Sequence, residues 1–387
     1  MDPRDVLMIK PRKSVSPGLL FFPSLITLFF FASTFMVCDK SPILIGVPVG
    51  LTGLTSRLGV KGRNGIQLAA DEINAAGGIR GRTLQLLVEN DGDDADQALE
   101  TDKRLVEAGV VAMVGHVTTK SGSKAIPWLN ERKVVLISPT ISSIDFSGKD
   151  DYFFRVIGAN DQQGEALARK ALADGFTKAV TVYEESNQRY TKSVIEGFGR
   201  TFALGGGLSL ATESFATNAK LDYVRLMDSL LLHEPELIVA ACSSFDAANI
   251  CQELAKRGND LPVYLSMWAH TDDLFVFGGK TVERVVAVGG SDPYGSGAAT
   301  QKFRRDYLAR FGEDPDFSGI YGYEALKVLA SALEKALTLD GPGIKSALLG
   351  IKDFPGLQTP ISFDEFGDCS RPYSIYTVKD GVFVSED

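Results

Sequence analysis

Histidine occurs three times and cysteine four times in 387 residues, and each scarcity excludes a class of chemistry. His116, His233 and His270 stand far apart, without the i, i+4 pair that sets two imidazoles on one helix face for zinc. Neither a G-x-S-x-G elbow nor a phosphate-cradling G-x-x-x-x-G-K-S/T run is present. The cysteines, at 38, 242, 251 and 369, are too few and too scattered for a disulfide scaffold. Cys242 and Cys251 read as buried thiols. The expectation is therefore no catalytic residue, no metal, no cofactor and no enzyme activity.

Long apolar runs are also missing, with one exception. Arg4, Lys10, Arg12 and Lys13 precede an uncharged stretch, 14–37, rich in Phe and Leu. A basic segment followed by an apolar one reads as an export signal over residues 1–37. The stretch is long enough to span a bilayer, so a retained anchor is the alternative. Cys38 sits where the apolar run stops, like the lipidated cysteine of a bacterial lipoprotein, although Val37 stands where a small residue is usual. Lipidation at Cys38 and ordinary cleavage both stay open. Without residues 1–37 the chain keeps 36 Lys and Arg against 47 Asp and Glu, a net charge near −11. Nucleic acid is not an expected partner.

What remains alternates β-rich runs with helical periods. A strand is predicted over 43–49. A helix over 64–76 follows, with Ile66, Ala69, Ala70 and Ile73 on one face and Gly77-Gly78 stopping it. Strands at 83–89, 110–114 and 134–137 then alternate with helices at 96–108 and 121–131. The rhythm restarts at Asp161, with helices at 161–173, 189–204, 221–232 and 246–257 between strands at 179–183, 209–214, 237–241 and 263–265. Residues 298–349 read as helical again, and 374–379 with 382–384 as a hairpin turning at Asp380-Gly381. Such alternation predicts parallel βαβ units in two doubly wound α/β halves. Ligands of open α/β sheets sit beyond the carboxyl ends of strands, which points to the loops after Val47, Val114, Ile137, Tyr183, Ala241 and Leu265.

Those loops carry a resemblance. P-V-G-L-T-G-L-T-S-R-L-G (48–59), D-E-I-N-A-A-G-G-I-R-G-R (71–82), the segments 114–121 and 138–140, F-R-V-I-G-A-N-D-Q-Q-G (154–164) and G-D-C-S-R-P (367–372) resemble the leucine/isoleucine/valine-binding protein family. These are type I periplasmic binding proteins of ABC importers. The resemblance implies two lobes joined by a three-strand hinge: 43–158 and 290–361 in lobe 1, 159–289 and the tail 362–387 in lobe 2. Crossings fall near 158–161, 288–292 and 362–365. It further implies a periplasmic or extracytoplasmic protein that binds a small amino acid or carboxylate and engages permease subunits. A ligand-sensing protein for an aromatic or other carboxylic acid, working through a signalling partner, is the alternative.

Gly115 to Ser121 leads into a helix, so free N–H groups and a positive dipole end stand beside hydroxyls, which is a carboxylate seat. By resemblance Thr119 grips the carboxylate, and Thr140 and Ser142, beyond Ser138, add hydrogen bonds. Helix capping accounts for Thr118, Thr119 and Ser121 as well. Asp161 is either the ligand's ammonium partner or an N-cap. Tyr190 is expected to lie over the ligand, with Met267 and Trp268, Ser243, Ser244 and Leu58 as further wall. Leucine-binding members carry a glutamate where Met267 falls here. The expected ligand-binding set is thus Thr119, Ser138, Thr140, Ser142, Asp161, Tyr190, Met267 and Trp268. It suits a hydrophobic amino acid held through Thr119 and Asp161, or else an acid lacking the amino group.

Overall fold

The computed structural model describes residues 41–386 other than 54, 93 and 218–220. The expected signal, 1–37, and Cys38 lie outside the described residues. Among the described residues no helix is long and apolar enough to cross a membrane.

The first sheet is built from β1 (Ile43–Val49), β2 (Leu84–Asn90), β3 (Ala112–Val114), β4 (Val135–Ser138) and β5 (Phe153–Arg155), ordered β2-β1-β3-β4-β5 and parallel throughout. Helices α1 (Ser56–Ala75), α2 (Ala95–Glu107) and α3 (Thr119–Glu131) make the crossovers. The sheet is covered on both faces, which is why Ile43, Ile45, Val47 and Val49 of β1 are all fully buried. Each such side chain stabilises the fold by about 1.5–3 kcal/mol.

The second sheet follows α4 (Asp161–Ala173). Strands β6 (Lys178–Glu184), β7 (Leu208–Phe215), β8 (Leu237–Ala241), β9 (Val263–Leu265) and β10 (Val286–Gly289) are parallel. They alternate with α5 (Gln188–Leu204), α6 (Tyr223–Leu231), α7 (Ser244–Lys256) and the short α8 (Asp273–Gly278). After α9 (Ala298–Phe311), α10 (Phe317–Lys335) and α11 (Gly341–Leu349), the hairpin of β11 (Ser374–Lys379) and β12 (Val382–Ser385) extends this sheet antiparallel to β10, giving the order β12-β11-β10-β9-β8-β6-β7. Asp380 and Gly381 both take positive φ, the conformation a two-residue hairpin turn requires. The result is the type I periplasmic binding protein fold.

The helix predicted from Asn64 begins eight residues earlier. Gly59, Gly62 and Gly65 weaken the local helical signal, but they let α1 lie directly on α10. A Cβ on Gly65 would come within 2.0 Å of the Gly319 carbonyl, and one on Gly322 within 2.4 Å of that of Gly62. Packing thus overrides propensity, and the Ser318 hydroxyl donates to the Leu58 carbonyl (2.9 Å), tying the start of α10 to α1.

The chain passes between the two sheets at 156–160, at 290–297 and near the C-terminus. The third passage departs from the expected 362–365. Phe363 packs edge-on against Phe154 of β5 (centroids 5.3 Å), and the Arg155 N–H donates to the Gly367 carbonyl (3.3 Å), so residues 362–369 stay on the first sheet. The passage is made at 370–373. Strands β5 and β10 were not predicted. β5 is three residues long, and Val286–Gly289 lies against the expected second crossing.

Candidate functional site

The carboxyl ends of the two sheets face each other, and loops from both line a small cavity of about 30 Å³. On the first side, Val117, Thr118 and Thr119 come from the β3–α3 loop and Thr140 from the loop after β4; Leu58 and Phe317 come from the starts of α1 and α10. The second side supplies Asn187 and Tyr190 after β6, and Met267 and Trp268 after β9.

The two candidate roles of Thr118 and Thr119 separate here. Thr118 is the N-cap of α3, its hydroxyl oxygen accepting from the Ser121 N–H (3.2 Å). Thr119 follows as the first helical residue. It is 2% exposed, lines the cavity, and its hydroxyl makes no hydrogen bond with another described residue. The Thr140 hydroxyl donates to the Val117 carbonyl (2.6 Å), which leaves it free only to accept.

Across the cavity, α5 also points its N-terminus inward. Its N-cap residue Asn187 accepts the Lys120 N–H on Oδ1 (3.2 Å), a direct bond between the first turns of α3 and α5. With Oδ1 so occupied, the Asn187 Nδ2 group is left as a donor. Buried Glu184 holds the loop below by accepting from the N–H groups of Ser186 (2.8 Å) and Asn187 (3.2 Å).

Gln163, fully buried on α4, fixes the aromatic wall. Its Oε1 accepts from the Tyr190 hydroxyl (2.8 Å) and from the Met267 N–H (3.2 Å). Burial pushes the Tyr190 hydroxyl up to about 12, so it stays a proton donor to Gln163 and offers the cavity its ring. That ring meets Trp268 edge to face, with centroids 6.3 Å apart. Leu58 and Trp268 also line an outer hollow with Ser243 and Ser244, where Arg57 of α1 pairs with Asp273 of α8 (2.6 Å). A second ion pair, Arg189 with Asp145 (2.6 Å), joins the two sides at another point.

Of the expected set, Thr119, Thr140, Tyr190, Met267 and Trp268 are brought together around one cavity. The other three are not. Ser138 is spent on the backbone: its hydroxyl donates to the His116 carbonyl (2.8 Å) and accepts from the Ile141 N–H (2.9 Å). Ser142 is 1% exposed, does not line the cavity, and its hydroxyl has no partner among the described residues. Asp161 faces away, toward Arg200 on α5 (3.5 Å), and lines a separate groove with Arg155 and Lys352. The reason is helix phase: Gln163, two residues and about 200° further round α4, takes the inward position. The ammonium contact expected of Asp161 does not fit this placement. Nor does Asp161 cap α4, whose N-cap is Asn160.

Sequence reasoning missed Asn187, Phe317 and Gln163. Asn187 lies in the loop after Tyr183, one of those to which strand direction points. Phe317 carries no local signal, because only the packing of α10 on α1 delivers it. His116, in the same loop as Thr119, does not line the cavity. It is fully buried, with Nδ1 2.7 Å from Asp91 and Nε2 3.3 Å from Asp102. Burial alone would depress its titration, but the two carboxylates outweigh it and raise His116 to about 10.

Two α/β layers enclosing a cavity at their strand ends are the arrangement of a type I periplasmic binding protein. The family model of the periplasmic binding proteins matches residues 42–382, and the chain belongs to that family. It is 24% identical over 348 residues to the Leu/Ile/Val-binding protein BraC3 of Rhizobium johnstonii, covering 89% of this chain and 94% of that one. Among solved structures it is similar to the branched-chain amino acid transporter substrate binding protein LivJ of Streptococcus pneumoniae in complex with isoleucine (TM-score 0.81, 23% identity, 89% and 99% of the two chains). It is also similar to the solute binding protein of an ABC transporter from R. palustris in complex with benzoate (TM-score 0.80, 18% identity, 89% and 95%).

Proposed function

We propose that this chain is the extracytoplasmic solute-binding protein of an ABC importer, closing its two lobes over a small carboxylate with an apolar body. The observation that carries the reading is Thr119. A hydroxyl on a buried residue, unpaired among the described residues, at the N-terminus of a 13-residue helix and facing a cavity, suits an anionic head group. Leu58, Phe317, Tyr190, Met267 and Trp268 suit the ligand's apolar part. Family membership and the names of the relatives, several of them binding proteins for leucine, isoleucine and valine, favour transport of such a solute.

Binding would require opening, because the bond between Lys120 and Asn187 beside the cavity and the two ion pairs elsewhere hold the sides together. Three chain passages then act as the hinge, and the ligand stabilises the closed state because it touches both lobes. The mature protein is delivered outside the cytoplasm by segment 1–37, with Cys38 as the point of lipid attachment; intact-mass measurement of the exported protein tests this, a mature terminus other than diacylglyceryl-Cys38 ruling it out. For binding itself, a thermal-shift screen of small carboxylates, followed by solution scattering with each hit, is the direct test. Carboxylates should raise the unfolding temperature and reduce the radius of gyration. If no carboxylate stabilises the protein, the reading is wrong.

A further inference from the structure

We infer that the ligand of this cavity carries no ammonium group beside its carboxylate, so that acids are bound and the corresponding α-amino acids are refused. The inference rests on the carboxylate-binding reading above and narrows its ligand class. An ammonium next to a carboxylate seated at Thr119 would sit within the cavity, and none of the described residues lining that cavity is acidic. The acids that could have served are engaged elsewhere. Asp161 turns to Arg200 outside the cavity, Asp273 pairs through Oδ2 with Arg57 in the outer hollow, Asp316, also in that hollow, caps α10 by accepting the Ser318 and Gly319 N–H groups, and Glu184 lies beneath Asn187 accepting backbone N–H groups.

The polar groups present are neutral and supply no charge to offset a cation's. Thr119 offers a free hydroxyl, and Asn187, its Oδ1 occupied by the Lys120 N–H, offers Nδ2. Tyr190 turns its hydroxyl to Gln163 and offers a ring. Thr140 is free to accept, but it is a neutral hydroxyl. Moreover α3 and α5, of 13 and 17 residues, both direct their N-termini at the cavity, so two positive dipole ends converge on it. That field stabilises a carboxylate and opposes an ammonium, whose burial without a compensating anion is costly. The remaining walls, Leu58, Phe317, Met267 and Trp268, fit a branched or aromatic hydrocarbon body.

The test is calorimetric titration of the full chain with matched pairs: 4-methylpentanoate against leucine, and 3-phenylpropanoate against phenylalanine. At least one acid should bind at least roughly 100-fold more tightly than its amino acid. Equal or tighter binding of the amino acid in both pairs would overturn the inference while leaving the carboxylate-binding reading intact. Failure of all four, and of benzoate, would take down both. Two variants add a positive control, each checked for unfolding temperature before titration. Met267→Glu places a carboxylate in the wall, and Asn187→Asp does so isosterically should the first not fold. Either should shift the preference toward the amino acid by 10-fold or more. A folded variant whose preference is unmoved counts against the inference.

Discussion

Replacing Thr119 with valine tests the seat with little disturbance to the helix that carries it. Thr118, not Thr119, supplies the cap of α3, so Thr119→Val deletes a hydroxyl that holds no bond to another described residue. The β-branched shape is kept, and a hydroxyl that faces the cavity, with no partner among the described residues, is exchanged for a methyl group. Unfolding of the ligand-free protein should therefore be unchanged or slightly favourable to the variant. Binding should not be so tolerant. A hydrogen bond to a charged group is worth about 1.5–3 kcal/mol, which corresponds to a dissociation constant roughly 10- to 150-fold weaker. Thr119→Ser, retaining the hydroxyl, should recover most of the loss. Isothermal titration with any carboxylate that stabilises the wild type, alongside thermal unfolding of the ligand-free variants, reads both quantities. Affinity within about twofold of wild type for Thr119→Val would refute the assignment. So would an affinity loss that merely tracks a loss of fold.

Three further outcomes follow from the same geometry. His116, held raised to about 10 between Asp91 and Asp102 against the opposing effect of burial, contributes stability that is fully present below its unfolded value near 6.5 and is lost as pH rises through 10. His116→Asn should cost about 3–5 kcal/mol at pH 6 by urea denaturation, and much less at pH 10.5; equal costs at the two pH values would refute it. The Arg57–Asp273 pair spans the outer hollow, but Arg57 is 61% exposed, so screening limits its worth to about 0–1 kcal/mol. Arg57→Ala should weaken binding no more than about fivefold, with the difference shrinking at high salt; a larger, salt-independent loss would show Arg57 touching the ligand. Of the two tryptophans, only Trp268 lines the cavity, whereas Trp128 sits under Arg132 on α3. Ligand-induced fluorescence change should survive Trp128→Phe and vanish in Trp268→Phe; the opposite pattern would mean that the ligand binds elsewhere.

The order of elements was legible in the chain because its signals are local. Apolar runs ending at Gly77-Gly78, the restart at Asp161 and the hairpin turn at Asp380-Gly381 each depend on neighbours a few residues away, and each appears where expected. The same holds for the loops that meet at the cavity, since parallel βαβ units bring strand ends to one edge whatever their side chains. Which residue of a loop faces inward was not legible. Thr118 and Thr119 are chemically alike, and α3's start decides which one caps and which one is free. Asp161 and Gln163 are two residues apart, and the phase of α4 against α5 turns one outward and buries the other against Tyr190. Phe317 reaches the cavity only because glycines let α10 rest on α1, a contact between segments some 250 residues apart. The sequence by itself determined the layers and the edge at which they meet, because those follow from periodicity and chain direction. The tertiary structure alone decided the polarity of the cavity, because whether a group is free to donate there depends on partners supplied by neighbouring loops and helices, as Val117 is for Thr140, Gln163 for Tyr190 and Lys120 for Asn187.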